Sequence, residues 1–158
     1  MKKFIAYFDY LGFKEFIEKN DLEAQMKVIN RNFRDMELAL GQGNYRDEPH
    51  GFCADTSNSR IKCINFSDTV VFFTNDNEHE SLIEFLDVVY EFNRIEILNF
   101  FPLRGAIAYG EMVYKDFKSE NKKGGMFNVN SVYGKSLVQA HAWWSNVSPN
   151  GIRWQRNI

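Results

Sequence analysis

Hydrophobic and aromatic residues alternate along "KKFIAYFDYLGF", residues 2–13, a pattern that favours a strand ending near Gly12. A second period follows. Leu22, Met26, Ile29, Phe33, Met36 and Leu40 recur at alternating steps of four and three, which predicts one apolar helical stripe. Asn20 or Asp21 can cap its start, and Gly41 and Gly43 end it. Residues 43–59, "GNYRDEPHGFCADTSNS", are polar and turn-rich and read as an exposed loop. Residues 60–66 and 69–75 read as two strands around a tight connection at Ser67–Asp68. A second long helix is predicted over 79–98, with Leu82, Phe85, Leu86, Val89 and Phe92 on one face. Beyond Pro102, "LRGAIAYGEMVY" reads as one or two strands and "SENKKGGMFN" as a loop. Residues 131–145 read as a third helix, and "GIRWQ" as a last edge strand.

The order begins β-α-β-β-α-β. That is the ferredoxin-like arrangement of an α+β fold, an antiparallel sheet with helices packed on one face. Such a fold hosts many functions, so the chemistry must come from particular residues.

Composition narrows the classes. The 158 residues, 44% of them hydrophobic, suit one domain, 1–158, with a real core, and fifteen Phe make that core bulky. A net charge of −2 gives no basic footprint for nucleic acid. Two cysteines, Cys53 and Cys63, are too few for a disulfide framework or a structural zinc site, and read as free thiols. Asp9 interrupts the short N-terminal apolar run, so no signal peptide is read there, and no stretch approaches the ~20 apolar residues of a membrane span. The expectation is a cytoplasmic protein that engages neither nucleic acid nor membrane.

Within this apolar pattern two carboxylates stand out. Asp68 lies in "INFSDTVVFFT", flanked by Ile64, Phe66, Val70, Val71, Phe72 and Phe73. A charge there costs free energy unless something pairs with it. Asp9 lies in "AYFDYLGF", at the end of the first strand. The predicted topology sets that strand beside the hairpin that carries Asp68. Two carboxylates on one sheet edge repel, and a divalent cation removes the conflict. Hard oxygen ligands suit Mg²⁺ or Mn²⁺, with a substrate phosphate completing the shell. Two such ions can clamp both oxygens of a phosphoryl transfer. An Asp that merely solvates itself in a hairpin turn is the rival for Asp68 taken alone. Asp9 shifts the balance, because Gly12 behind it permits a sharp turn with exposed amides.

The segments "FIAYFDYLGF", "INFSDTVVFF", "PLRGAIAYGEM" and "VYGKSLVQAHAW" together resemble the class III nucleotidyl cyclases, and among them the pyrimidine cyclases of bacterial Pycsar anti-phage systems. The resemblance runs from about residue 4 to residue 145. It implies a head-to-tail homodimer with active sites at the interface. Asp9, Asp68 and the Tyr10 carbonyl would hold two divalent cations, Mn²⁺ or Mg²⁺, and the amides of Tyr10, Leu11, Gly12 and Phe13 would cradle the phosphates of a nucleoside triphosphate. The ribose 3′-hydroxyl, made more acidic by one ion, would attack the α-phosphorus and pyrophosphate would leave.

Two positions depart from the family pattern. Where purine-using members carry a base-contacting lysine, four residues before the second metal aspartate, this chain has Ile64. That argues against ATP and agrees with the pyrimidine group; within it the resemblance implies UTP ahead of CTP, because uridylate cyclases are the commoner members. Lys62, two residues earlier on the same strand face, is open to a shifted role. The Asn and Arg expected on the last helix are replaced by Val138 and Ala142. Arg104 is the candidate substitute cation, since its planar fork suits phosphate oxygens; an arginine facing water at a strand start is the equal alternative. Lys135 could reach phosphate, although a solvated helix-end lysine is the simpler reading. Tyr45, with Arg46 and His50, sits in the polar loop and is the candidate to stack on the base. Ser67 and Thr69 either orient Asp68 or cap its turn. Trp143 and Trp144 read as core or dimer contacts, and His79 and His141 carry no assigned chemistry. Two rival functions stay open: a degenerate cyclase-like domain that binds nucleotide without turnover, favoured by Val138 and Ala142, and another palm-type phosphotransferase.

Overall fold

The computed structural model describes residues 2–49 and 51–145. His50, the side chain of Trp144 and the expected "GIRWQ" strand lie outside the described residues. The elements run β1 (Lys2–Tyr10), α1 (Phe13–Lys19), α2 (Leu22–Gly41), β2 (Tyr45–Glu48), β3 (Gly51–Ala54), β4 (Ile61–Phe66), β5 (Thr69–Thr74), α3 (His79–Leu98), β6 (Leu103–Glu111), β7 (Val113–Glu120), β8 (Met126–Tyr133) and α4 (Lys135–Ser145).

Four strands form an antiparallel sheet in the order β4-β5-β1-β6. This is the α+β, ferredoxin-like arrangement expected from the pattern. Side chains alternate across the sheet, so successive residues of β1 serve two different layers. Ala6, Phe8 and Tyr10 join Met36 and Ala39 of α2 and Phe85, Val88 and Phe92 of α3 in the larger core. Ile5 joins Val71, Phe73 and Met112 on the opposite face, where Tyr7, Ile64, Tyr114, Val132 and Leu137 pack around them. Helices α2 and α3 therefore cover one face. The other is covered by α4, through Leu137 and the Tyr7–His141 ring contact, and by the two-stranded β7–β8 ribbon.

Close approach of β6 to β1 depends on Gly105. A Cβ there would fall 2.2 Å from the Tyr7 carbonyl oxygen and 2.6 Å from the Phe8 ring. This gives the glycine of "LRGAI" a packing reason.

Several sequence expectations are corrected. The polar stretch 43–59 holds a short hairpin, β2–β3, with Tyr45 opposite Ala54. It docks on α2, because Ala54 is buried against Gly41. Helix α1, built on Phe13, Phe16 and Ile17, was not anticipated. "SENKKGGMFN" is mostly strand: β7 and β8 reach to Glu120 and back from Met126, so residues 131–133 are strand and the last helix starts at Lys135. The α2 stripe is rotated. Asp21 does cap the helix, accepting the Ala24 amide at 2.8 Å. Yet Leu22, Met26 and Phe33 are exposed, while Asn32, Asp35, Met36 and Ala39 are buried. Polar residues can occupy that inner face because they are paired: Asn99, just past α3, donates to Asp35 at 2.7 Å, and Arg31 lies 3.7 Å from the same carboxylate.

Candidate active site

Asp9 is the second-last residue of β1, flanked by Thr69 of β5 on one side and Arg104 of β6 on the other. Directly opposed residues share a sheet face, so Asp9, Thr69 and Arg104 all project toward the face away from α2 and α3. Asp68 sits in the turn before β5. The Tyr10 amide donates to the Asp68 carbonyl at 3.0 Å, which bolts the two motifs together through their main chains. The turn itself is tight: Ser67 adopts φ 55°, and the Asn65 amide donates to the Thr69 carbonyl at 3.1 Å.

The two carboxyl groups lie near enough for the charge of one to act on the other. Asp9 is only 8% exposed, and burial holds its carboxyl above the ordinary value. The charge of the nearby Asp68 pushes in the same direction. Arg104 opposes these effects, with Nη2 3.3 Å from Asp9 Oδ2. The arginine is half exposed, so it caps the site from its solvent side.

This donor set fits a hard divalent cation. A carboxylate whose charge is disfavoured by burial and by a neighbouring carboxylate, as Asp9 is, gains from a shared cation. Among the described residues no group of three or more His, Cys, Asp or Glu converges. The remaining positions of a cation shell would therefore fall to main-chain oxygen, water and a phosphate, as suits Mg²⁺ or Mn²⁺.

The other expected site residues divide. Ile64 and Lys62 share the site's face, being opposite Val71 and Phe73. Lys62 is held over the Tyr114 ring at 5.1 Å, and Ile64 packs in the second core. Gly12 takes the left-handed conformation, φ 77°, and opens α1. Two of the four amides expected to cradle phosphate are already engaged: Tyr10 with Asp68, and Leu11 with the Pro102 carbonyl at 3.0 Å. Only the amides of Gly12 and Phe13 remain from that expectation. Tyr45 is not brought to the site. Its hairpin docks on α2, in the layer behind the sheet, and the Asp9 side chain points the other way. Val138 is 67% exposed on α4, Ala142 is half-buried and Trp143 is partly exposed. The Thr69 hydroxyl is 3.2 Å from the Tyr7 hydroxyl, which places it in a bond across the sheet.

Two residues escaped the sequence reading. Glu96 is fully buried on α3 and accepts the Tyr10 hydroxyl at 2.8 Å. Its signal was its place four residues after Phe92, on the apolar face. Phe66, two residues before Asp68, is 80% exposed. Its signal was strand alternation, which puts it on the face of Ile64.

The strand order and the helices packed on the sheet match the fold of a solved nucleotide cyclase catalytic core. The solved catalytic core of a rhodopsin-guanylyl cyclase with converted specificity, in complex with ATPαS, superposes on this chain with a TM-score of 0.62. The match spans 92% of this chain and 72% of that one at 10% sequence identity. No family model matches the sequence, and no curated protein does. Among the described residues no helix is long and apolar enough to cross a membrane.

Proposed function

We propose that this protein is a nucleotide cyclase that converts a pyrimidine nucleoside triphosphate, UTP ahead of CTP, to the 3′,5′-cyclic monophosphate and pyrophosphate. The observation that carries the reading is the convergence of Asp9 and Asp68 at one end of the sheet. The cyclase-core fold supports it, and the solved neighbour is described with a nucleoside triphosphate analogue bound.

Asp9, Asp68 and the Tyr10 carbonyl would hold two divalent ions, Mn²⁺ or Mg²⁺. When bound, these ions neutralise phosphate charge and acidify the ribose 3′-hydroxyl. The chain's own groups do the rest. The main-chain bond from Tyr10 to Asp68 keeps the two carboxylates in register. Arg104, beside Asp9, would supply a cation next to the transferring phosphoryl group. The 3′-oxygen forms its bond to the α-phosphorus as the bond to the pyrophosphate oxygen breaks, and the hydroxyl proton passes to water. Ile64, packed in the second core, offers a purine edge no hydrogen bond, and Lys62 is engaged by Tyr114. Both features support the pyrimidine preference. The enzyme would act as a cytoplasmic homodimer with sites at the interface, a single 1–158 domain making a second messenger in antiviral defence. That role rests on the sequence resemblance.

The test is incubation of pure protein with each ribonucleoside triphosphate and Mn²⁺. A cyclic pyrimidine nucleotide should form, and should disappear in Asp9→Ala and Asp68→Ala. No cyclic product from a folded wild-type dimer refutes the proposal. A second reading, a domain that binds nucleotide without turnover, is favoured by the exposed Val138 where a polar ribose partner is expected. Metal-dependent binding without product would select it.

A further inference from the structure

Tyr10 follows Asp9 on β1 but turns its side chain to the opposite face, into the core formed with α2 and α3. Its ring packs against those of Phe101 and Phe13, with centroids 4.8 and 6.3 Å away. Its hydroxyl donates to Oε1 of Glu96, in the last turn of α3, at 2.8 Å. Its amide donates to the Asp68 carbonyl at 3.0 Å. The end of α3 is fixed in turn, because Asn99 donates to Asp35 of α2 at 2.7 Å. One residue thus ties the main chain of both acid motifs to the helical layer.

Packing alone does not call for this tie. Glu96 is fully buried, and among the described residues its Oε2 has no hydrogen-bond partner. A half-satisfied buried acid costs stability, whereas replacing both partners of a buried polar pair by apolar groups of the same shape can be neutral or stabilising. Phe and Leu would suit surroundings as aromatic as these. What the bond adds to packing is direction: it fixes the depth and rotation of the Tyr10 ring, and with them the strand end that carries the ring. We infer that Glu96 is a positioning residue for the cation site, holding the end of β1 through the Tyr10 hydroxyl so that the Asp9 carboxylate and the Tyr10 carbonyl face one divalent ion; the inference rests on the cation reading of that site. Glu96 lies on the far side of the sheet from the Asp9 side chain and acts only through Tyr10. Groups that orient ligands in this way govern metal affinity without touching the metal.

The test titrates Mn²⁺ alone into the full chain by calorimetry and, separately, records the melting temperature without metal. Tyr10→Phe and Glu96→Leu should each weaken Mn²⁺ binding about 10- to 100-fold. Glu96→Gln, which keeps an acceptor for the phenol, should recover most of what Glu96→Leu loses. The deciding protein is the double variant Tyr10→Phe, Glu96→Leu. Its matched apolar pair should melt no lower than wild type and still bind Mn²⁺ weakly. Wild-type affinity in the double variant overturns the inference while the acid pair stands as a cation site. Affinity and melting temperature falling together in it make the pair a structural contact and overturn the inference too. If Mn²⁺ does not bind the wild-type protein, the reading of the acid pair and the positioning role fall together.

Discussion

Replacing Glu96 with Gln should flatten the pH dependence of folding stability between about pH 4.5 and 7. Glu96 is fully buried, its Oε2 has no hydrogen-bond partner, and its Oε1 takes the Tyr10 hydroxyl at 2.8 Å. Burial pushes its carboxyl up from 4.5 to about 7; the nearby Asp35 charge adds to this, and the Tyr10 hydrogen bond works against it. An acid that holds its proton more tightly when folded stabilises the fold most below its unfolded value, pH 4.5, and that contribution is lost as pH rises through about 7. Two and a half units correspond to about 3 kcal/mol. Gln cannot ionise, so its own cost of burial is the same at every pH. Urea unfolding followed by circular dichroism, at pH 4.5 and pH 8, reads the effect as a difference of differences. Relative to wild type, Glu96→Gln should gain about 3 kcal/mol on going from the lower to the higher pH. Tyr10→Phe removes the bond that favours the ionised form and should steepen the wild-type loss. Parallel profiles for wild type and Glu96→Gln would refute the reasoning, since Glu96 would then titrate alike in folded and unfolded chains.

Two further outcomes follow from the site and the sheet. Mn²⁺ should raise the melting temperature of the wild-type protein, with a gain of about 2.7 kcal/mol at a hundredfold excess over its dissociation constant. Asp68→Asn should abolish that gain, and an undiminished shift would show that the cation binds elsewhere. Gly105→Ala, whose Cβ would sit 2.2 Å from the Tyr7 carbonyl, should cost about 3 kcal/mol and lower the melting temperature by about 10 °C. A shift of only a degree or two in differential scanning calorimetry would show that β6 can move away from β1 at little cost.

The elements legible in the sequence were those whose period agrees with their burial. β1, β4 and β5 alternate between two packed layers, and α3 carries Phe85, Val89 and Phe92 inward as their spacing predicts, while Leu86 of the same predicted face is exposed. The α2 stripe was misleading, because apolar residues occupy two faces of that helix and its inner one also takes Asn32 and Asp35. Periodicity scores a buried asparagine as outward-facing, and only Asn99 and Arg31 opposite Asp35 make its burial tolerable. Hairpin β2–β3 and the β7–β8 ribbon are mostly exposed, with apolar residues such as Phe52, Phe117, Phe127 and Val129 on their surface, so their pattern does not mark a buried face. In the candidate site, Asp9 and Asp68 were legible as charges inside apolar runs. The placement of Tyr45 was not, since which layer a hairpin docks on depends on contacts such as Ala54 against Gly41.

The amino-acid sequence by itself determined the strand and helix order of the core and marked both carboxylates, because side-chain period and the cost of an unpaired charge are local properties. Tertiary structure alone decided that Asp9 faces Arg104 and lies beside the turn of Asp68, that two of the expected amides are already bonded, and that Glu96 lies sealed beneath Tyr10. Those are relations between residues up to 95 positions apart, set by sheet register and helix docking, and no local pattern encodes them.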